Sequence, residues 1–340
     1  MKIIIRKHKQ KGVALIVVLL IVAIITVIAV EMSGRLQLNV ARTLNLKANN
    51  QAYWYALGAE QFAKNSLATL NNLTSANINL SQPWAETFEF PVEGGYIKAQ
   101  LIDMQACFNL NAINSTYKAQ GNPTGGPIGS PIKAQEAFQR LLENFIPDPL
   151  VVETIRDSLI DWIDEDSIPN NYGAEDADYE SLANPYLAAN SPLGHPSEIR
   201  LINGIEQAIA MGGLQDLREV VCVLPETNLK INVNTITAEN AVVLSALLSD
   251  TSGSNNGNGA NIIDSRPPEG FKDIQDFFNL SAVLALDLDP EQKDWFDVTT
   301  KYFKLNTTAK FQGSQFKLST IFKLDNDRID IISREFGGAF

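Results

Sequence analysis

Ten of the 28 residues from Glu153 to Glu180 are Asp or Glu, and Arg156 is the only base among them. Val152, Ile155, Leu159 and Trp162 recur at helical spacing and predict a buried stripe. Glu153, Asp157, Asp161 and Asp164 then fall three or four apart on another face. Like charges at that spacing repel, and those nearest the helix C-terminus also oppose the helix dipole. A bound divalent cation would relieve both. Calcium chemistry suits the stretch, because calcium takes about 6–8 oxygen ligands and accepts irregular loops. Asp164, Asp166 and Glu175 stand at the first, third and twelfth positions of a calcium loop, but Pro169 takes the sixth, where an EF-hand needs Gly. The EF-hand form is therefore excluded while its ligand chemistry remains. A solvated acidic loop is the ordinary meaning of a charge run; this clustering at one helix end favours an ion. A glycosidase pair needs a set separation and a cleft, and carboxylates this crowded suit a cation better.

The elements that must position these acids are legible at three scales. Before them, apolar residues recur at Leu36, Val40, Leu44, Ala48, Ala52, Tyr55, Ala59, Ala63, Leu67 and Leu70, with no proline before Pro83. These steps of three and four predict one helix running to about Leu73, with Gly34 and Gly58 as weak points. Residues 86–103 then read as two strands around Gly94-Gly95, and 299–334 as three more separated by short polar breaks. Between these strands the pattern is helical, with amphipathic runs at 136–145 and 150–163 and further candidates at 197–211, 238–248 and 272–284. The segments 120–131 and 251–261 are rich in Gly, Asn and Ser and read as surface loops. The expected fold class is α+β: a long N-terminal helix packed on a small antiparallel sheet, interrupted by a large helical insertion. The expected divisions are 1–12, a helix over 13–73 with a transmembrane part at 13–33, a sheet domain from 74–104 and 296–340, and an insertion over 105–295. A short repeat, Cys107-Phe108-Asn109-Leu110-Asn111-Ala112-Ile113 and Ile231-Asn232-Val233-Asn234-Thr235-Ile236, divides the insertion into 105–225 and 226–295.

The N-terminus decides where this body sits. Lys2, Arg6, Lys7, Lys9 and Lys11 precede eighteen residues, Val13 to Val30, whose only polar side chain is Thr26. At 1.5 Å per residue such a helix spans about 27 Å, close to the hydrocarbon thickness of a bilayer. The basic flank predicts a cytoplasmic N-terminus and an exported body. No A-x-A-like site follows the span, which argues against a discarded signal peptide. The whole chain carries −12, and with +5 ahead of Val13 the remainder carries −17. A body this acidic repels nucleic-acid phosphates and attracts cations.

A basic leader ending in Gly12 and followed by an apolar helix resembles the type IV pilin and pseudopilin superfamily. That resemblance implies cleavage by a prepilin peptidase between Gly12 and Val13 and N-methylation of Val13. Most members carry Glu at the fifth mature position, where this chain has Val17. The family's Glu pairs with the N-terminal amine of a neighbouring subunit. A subunit with nothing above it has no such amine to meet, so Val17 implies a place at a filament tip. Further pieces follow in one order along the chain: Asp103 with Phe108-Asn-Leu-Asn, Asp161-Trp-Ile-Asp-Glu-Asp, Gly173-Ala-Glu-Asp, Ile231-Asn-Val-Asn-Thr and Tyr302-Phe-Lys-Leu. Together they resemble the large minor pseudopilin of type II secretion, the general secretion pathway protein K class. The resemblance implies a structural rather than enzymatic role, anchored once in the inner membrane with a periplasmic body. It also implies a tip complex with the I and J classes, and contact with the secretin or secreted substrate. It implies calcium in the acidic stretch, one or two ions, with Asp161, Asp164, Asp166, Glu175, Asp176 and Asp178 as expected ligands. A minor pilin of a type IV pilus is the nearest alternative.

Other chemistry is sparse. Cys107 and Cys222 are the only cysteines; in an oxidising compartment they either pair or stay as two buried thiols. No C-x-x-C, P-loop or G-x-S-x-G is present, and His8 and His195 read as leader and loop residues. Residues 231–282 resemble a helix-hairpin-helix module, which with a membrane anchor would suggest a DNA receptor. Lys230, Arg266 and Lys272 form no dense basic patch there, and the acidic body opposes phosphate.

Overall fold

The computed structural model describes residues 13–73, 77–114, 133–248, 258–286, 288–325 and 328–337. Gly12, the 120–131 segment and most of 251–261 lie outside the described residues. The expected long helix is α1, Val13–Leu73, unbroken across Gly34 and Gly58. Its apolar start, Val13 to Val30, is exposed on every side within the isolated chain, and an 18-residue stretch of the helix has a mean hydropathy of 3.5, enough by length and composition to cross a membrane. From Ala48 onward one face is buried: Ala48, Ala52, Ala56, Ala59, Ala63, Leu67 and Leu70. These positions repeat every three or four residues, as a one-sided packing stripe must. The alanines leave room for Phe303, Leu305, Leu318 and Phe322 from the sheet beneath.

That sheet is an antiparallel meander of β1 (Phe88–Val92), β2 (Gly95–Asp103), β3 (Tyr302–Phe311), β4 (Ser314–Asp325) and β5 (Arg328–Phe336), in that order. Gly94 and the Gln312-Gly313 pair close two of its hairpins with positive φ; at 312–313 both central residues are positive, as a twist-matched two-residue turn requires. The insertion leaves after β2 and returns at β3. Asp103 lies opposite Phe303, and Met104 N–H donates to Tyr302 O at 2.9 Å. The two ends of the excursion are therefore side by side.

One continuous apolar core, from Ala106 to Val298, fills the insertion. Its two arms begin alike. Phe108-Asn109 pairs in parallel with Val221-Cys222, and Ile231-Asn232 pairs in parallel with Phe296-Asp297. In each, the first Asn accepts from the backbone N–H two residues ahead. The second Asn grips one distant loop residue at both main-chain groups: Asn111 holds Leu193, and Asn234 holds Phe271. The short repeat is thus one hydrogen-bonding device used twice.

The helices that carry the acids are α2 (Lys133–Glu143), α3 (Pro149–Ile163) and α4 (Asp176–Glu180). Asp148 caps α3 by accepting from Leu150 N–H at 3.0 Å. The helix expected over 197–211 is instead a 3-10 turn, Pro196–Leu201, and a short helix, Ile205–Ala210. Gly204 interrupts it at φ 89°, where a Cβ would meet the Ile155 side chain at 2.7 Å. The helix expected over 272–284 likewise divides into Ile274–Phe278 and Ser281–Leu284.

Cys107 and Cys222 form a disulfide with Cα atoms 5.8 Å apart. It sits with Met104, Leu224, Tyr302 and Ile321 in a small apolar cluster where the insertion meets the sheet.

Candidate metal centre

The buried stripe of α3 is as the spacing predicts, with Val152, Ile155, Leu159 and Trp162 all inside. The acids depart from the expectation of one charged face. Asp157 and Asp161 are themselves buried, 4% and 0% exposed. They hold the loop that links α3 to α4. Asp161 accepts from the Asn170 backbone N–H at 3.1 Å and from its side-chain amide. Asp157 accepts from Tyr172 N–H at 3.2 Å and pairs with Arg156. Hydrogen bonds from the loop amides stabilise carboxylates that would otherwise repel across a helix turn. Gly173 is required for this approach, because a Cβ there would lie 1.7 Å from Asp161 Oδ2.

The folded loop brings three acids to one point. Asp164 ends α3, Asp166 follows it, and Glu175 precedes α4; one carboxylate oxygen from each lies within 4.8 Å of the others. Asp161 sits alongside, close enough to raise the pKa values of both Asp164 and Glu175. Asp176 and Asp178 have other work. Asp176 accepts from Ala188 N–H at 2.9 Å, and Asp178 accepts from Glu175 N–H at 3.0 Å at the start of α4.

The electrostatics of the three-acid cluster are unbalanced. Both oxygens of Glu175 and Oδ1 of Asp164 are buried without a hydrogen-bond partner among the described residues. Burial, then the charges of Asp161, Asp164, Asp176 and Asp166, pushes the Glu175 carboxyl up to about 7. Burial, then Asp166 and Asp161, pushes Asp164 up to about 6. Burial also raises Asp161, against the opposing effect of its Asn170 bonds. Orphaned, crowded carboxylate oxygens are what a hard cation requires, so the donor set fits calcium by chemistry. Asn170 was not singled out in the sequence, and Asp157 and Gly173 were noted there without these roles. Their signal was available in part, because Asn-Asn-Tyr-Gly between two acidic runs is a turn signature.

Residues 231–282 show why the DNA-receptor reading is not favoured. Arg266 turns its guanidinium inward to the carbonyls of Val233 and Ile236, at 3.0 and 2.8 Å. Lys230 pairs with Asp294. Of the three bases noted there, Arg266 is thus committed inside the protein and Lys230 to a surface ion pair.

A long apolar helix that continues onto a small meander, with a large helical insertion between two strands, defines the pseudopilin class of membrane-anchored assembly subunits. The comparisons narrow this. Family models described as type II secretion system protein K match residues 106–226 and 231–299. The chain is 33% identical to the type II secretion system protein K of Aeromonas hydrophila, over 97% of this chain and 98% of that one. It is 32% identical to that of Klebsiella pneumoniae, over 97% of each. It also resembles a solved structure, the GspK-GspI-GspJ complex of the enterotoxigenic Escherichia coli type 2 secretion system. The TM-score is 0.73 at 28% identity, covering 88% of this chain and 100% of that one. The chain belongs to the type II secretion system protein K family, the large minor pseudopilins.

Proposed function

We propose that this minor pseudopilin occupies the tip of the pseudopilus, anchored in the inner membrane with its N-terminus in the cytoplasm and its body in the periplasm. The observation that carries the reading is α1 itself. One helix is exposed and apolar from Val13 to Val30 and packed on the sheet from Ala48 onward, so the body is joined rigidly to a membrane span. Prepilin peptidase would cut between Gly12 and Val13, and Val13, the first residue of α1, would be methylated. Val17 supports the tip position. A buried carboxylate with no amine opposite is costly, and Val17 puts none in the assembled helix bundle. The likeness to a chain solved with GspI and GspJ supports minor pseudopilins of those classes as partners. Secretin and secreted substrate are further partners for the periplasmic insertion.

The insertion would hold one or two calcium ions. Asp164, Asp166 and Glu175 are the central ligands, Asp161 orders the loop, and backbone carbonyls complete the shell. When bound, the ion supplies positive charge and fixed coordination that join the end of α3 to the start of α4. Mass spectrometry of the mature protein from cells tests the assembly reading most simply. Methylated Val13 is expected at the N-terminus; an intact leader, or cleavage elsewhere, would overturn it.

A further inference from the structure

Two Asn-Gly pairs lie among the described residues, Asn203-Gly204 and Asn258-Gly259. Asparagine before glycine is where a chain can react with itself, because no side chain shields the glycine nitrogen from the neighbouring carboxamide. The reaction needs that nitrogen and the Asn Cγ to come into line, so any bond that holds either group slows it. Asn258-Gly259 is held at both. Asn258 Oδ1 accepts from Asn261 N–H at 3.3 Å, where it caps the Gly259–Asp264 helix, and Gly259 N–H donates to Ser245 Oγ at 2.9 Å. A Cβ on Gly259 would lie 2.2 Å from Ala241 O, so this glycine is also tightly packed.

Asn203-Gly204 has neither restraint. Asn203 is exposed, and its side-chain amide makes no hydrogen bond among the described residues. Gly204 N–H makes none there either. The pair is held only through groups that do not react: Asn203 N–H donates to the Tyr179 hydroxyl at 3.3 Å, and Gly204 O accepts from Ala208 N–H at 3.1 Å. The turn cannot exchange its glycine for a bulkier neighbour. Gly204 has φ 89°, and a Cβ there would meet Ile155 at 2.7 Å and Thr154 at 3.1 Å. The packing that demands Gly204 therefore also preserves the reactive pair.

We propose that Asn203 is a site of spontaneous deamidation and isomerisation. A solvent base takes the Gly204 N–H proton, and the nitrogen attacks Asn203 Cγ. The Cγ–Nδ2 bond breaks, ammonia leaves with a proton from water, and a cyclic succinimide remains. Water then opens the ring. Breaking the new N–Cγ bond gives aspartate at position 203. Breaking the original peptide C–N bond gives isoaspartate, with the chain now running through the β-carbon. Nothing is oxidised or reduced, and water is the only co-reactant. Either product adds a negative charge to the surface. Isoaspartate also lengthens the turn by one carbon where Gly204 rests on Ile155 of α3, and where Asn203 reaches Tyr179 of α4, whose ring packs on Trp162. The modification therefore loosens the brace between the two helices that carry the acids.

The test incubates the full chain in detergent at mildly alkaline pH without calcium. Each Asn-Gly pair is then read by peptide mass spectrometry, and isoaspartate by enzymatic methylation of its free α-carboxyl. Asn203 should convert on the order of tenfold faster than Asn258, because two ordinary hydrogen bonds hold the second pair. In the urea-unfolded chain, where both pairs are free, the rates should converge. Ser245→Ala removes the acceptor of Gly259 N–H and should speed Asn258 alone. Asn203→Ser removes the reactive amide at an exposed position; its melting temperature should hold on incubation while that of the natural sequence falls. The proposal is overturned if position 203 stays unconverted while the unfolded chain reacts, if Asn258 reacts as fast in the folded protein, if the two rates stay apart in urea, if Ser245→Ala leaves Asn258 unchanged, or if conversion leaves the melting temperature where it was.

Discussion

Glu60 and Glu175 are both buried glutamates, 7% and 4% exposed, and they are treated in opposite ways. Glu60 lies on the sheet-facing side of α1. Arg334 of β5 binds it with two hydrogen bonds of 2.7 and 2.8 Å, and Thr320 of β4 donates a third at 2.7 Å. Among the described residues Glu175 has no hydrogen-bond partner at either oxygen, and burial, then four other carboxylates, raises its pKa. A buried charge is tolerated when it is paired and expensive when it is not. The sheet domain therefore completes its own electrostatics, and its bidentate pair fixes how α1 sits on the sheet. The insertion leaves Glu175 uncompensated among the described residues, and the proposed calcium site rests on that contrast.

Breaking the two sites should give effects of different size and sign. Arg334→Ala strands Glu60 beneath α1 and should cost about 2–3 kcal/mol of stability in chemical denaturation. Glu60→Ala should cost less, because Arg334 is part-exposed and can return to water. Glu175→Gln should do the reverse of Arg334→Ala in the absence of calcium. It removes a repelling charge, so stability should hold or rise.

The disulfide ties the base of the insertion to itself across 115 residues of chain. Replacing both Cys107 and Cys222 by Ala should cost about 2–4 kcal/mol, mainly by freeing the unfolded chain. The loss should appear equally with and without calcium, which separates this junction from the acidic loop.

The smallest effect is the pH dependence. Glu175 is raised to about 7 from 4.5 and Asp164 to about 6 from 3.8 in the cation-free protein. Between those limits the folded state holds protons that the unfolded chain releases. The stability that this pair contributes is complete below about pH 4 and is lost as pH rises through 6 to 7. Calcium competes with those same protons. The melting-temperature gain from calcium should therefore be slight at about pH 5 and full above about pH 7. A gain independent of pH would place the ion away from Glu175 and Asp164.

The long helix, the meander and the acidic stretch were legible in the sequence because each rests on local periodicity or local charge. Spacing alone placed the α3 stripe correctly. What it could not show was that Asp157 and Asp161 on the adjoining positions also face inward, since their partners Tyr172 and Asn170 are supplied by a loop that folds back. Asp176 and Asp178 looked equivalent to Glu175 by charge, yet they are engaged with Ala188 N–H and with the start of α4. Arg334 and Glu60 stand 274 residues apart, and nothing local pairs them. The helices lost at Gly204 and between Phe278 and Ser281 show the same limit. Gly204 takes its left-handed φ beside Ile155 of α3, a contact no local pattern encodes.

The most direct test is thermal unfolding of the full chain in detergent at about pH 7.5, with and without calcium, beside Glu175→Gln. A cation bound only to the folded state stabilises it by about 2.7 kcal/mol at a hundredfold excess over Kd. The melting temperature of the natural sequence should therefore rise with calcium, while Glu175→Gln should begin at or above the cation-free value and respond little. No shift at millimolar calcium, or an equal shift in Glu175→Gln, would contradict a calcium centre at Asp164, Asp166 and Glu175.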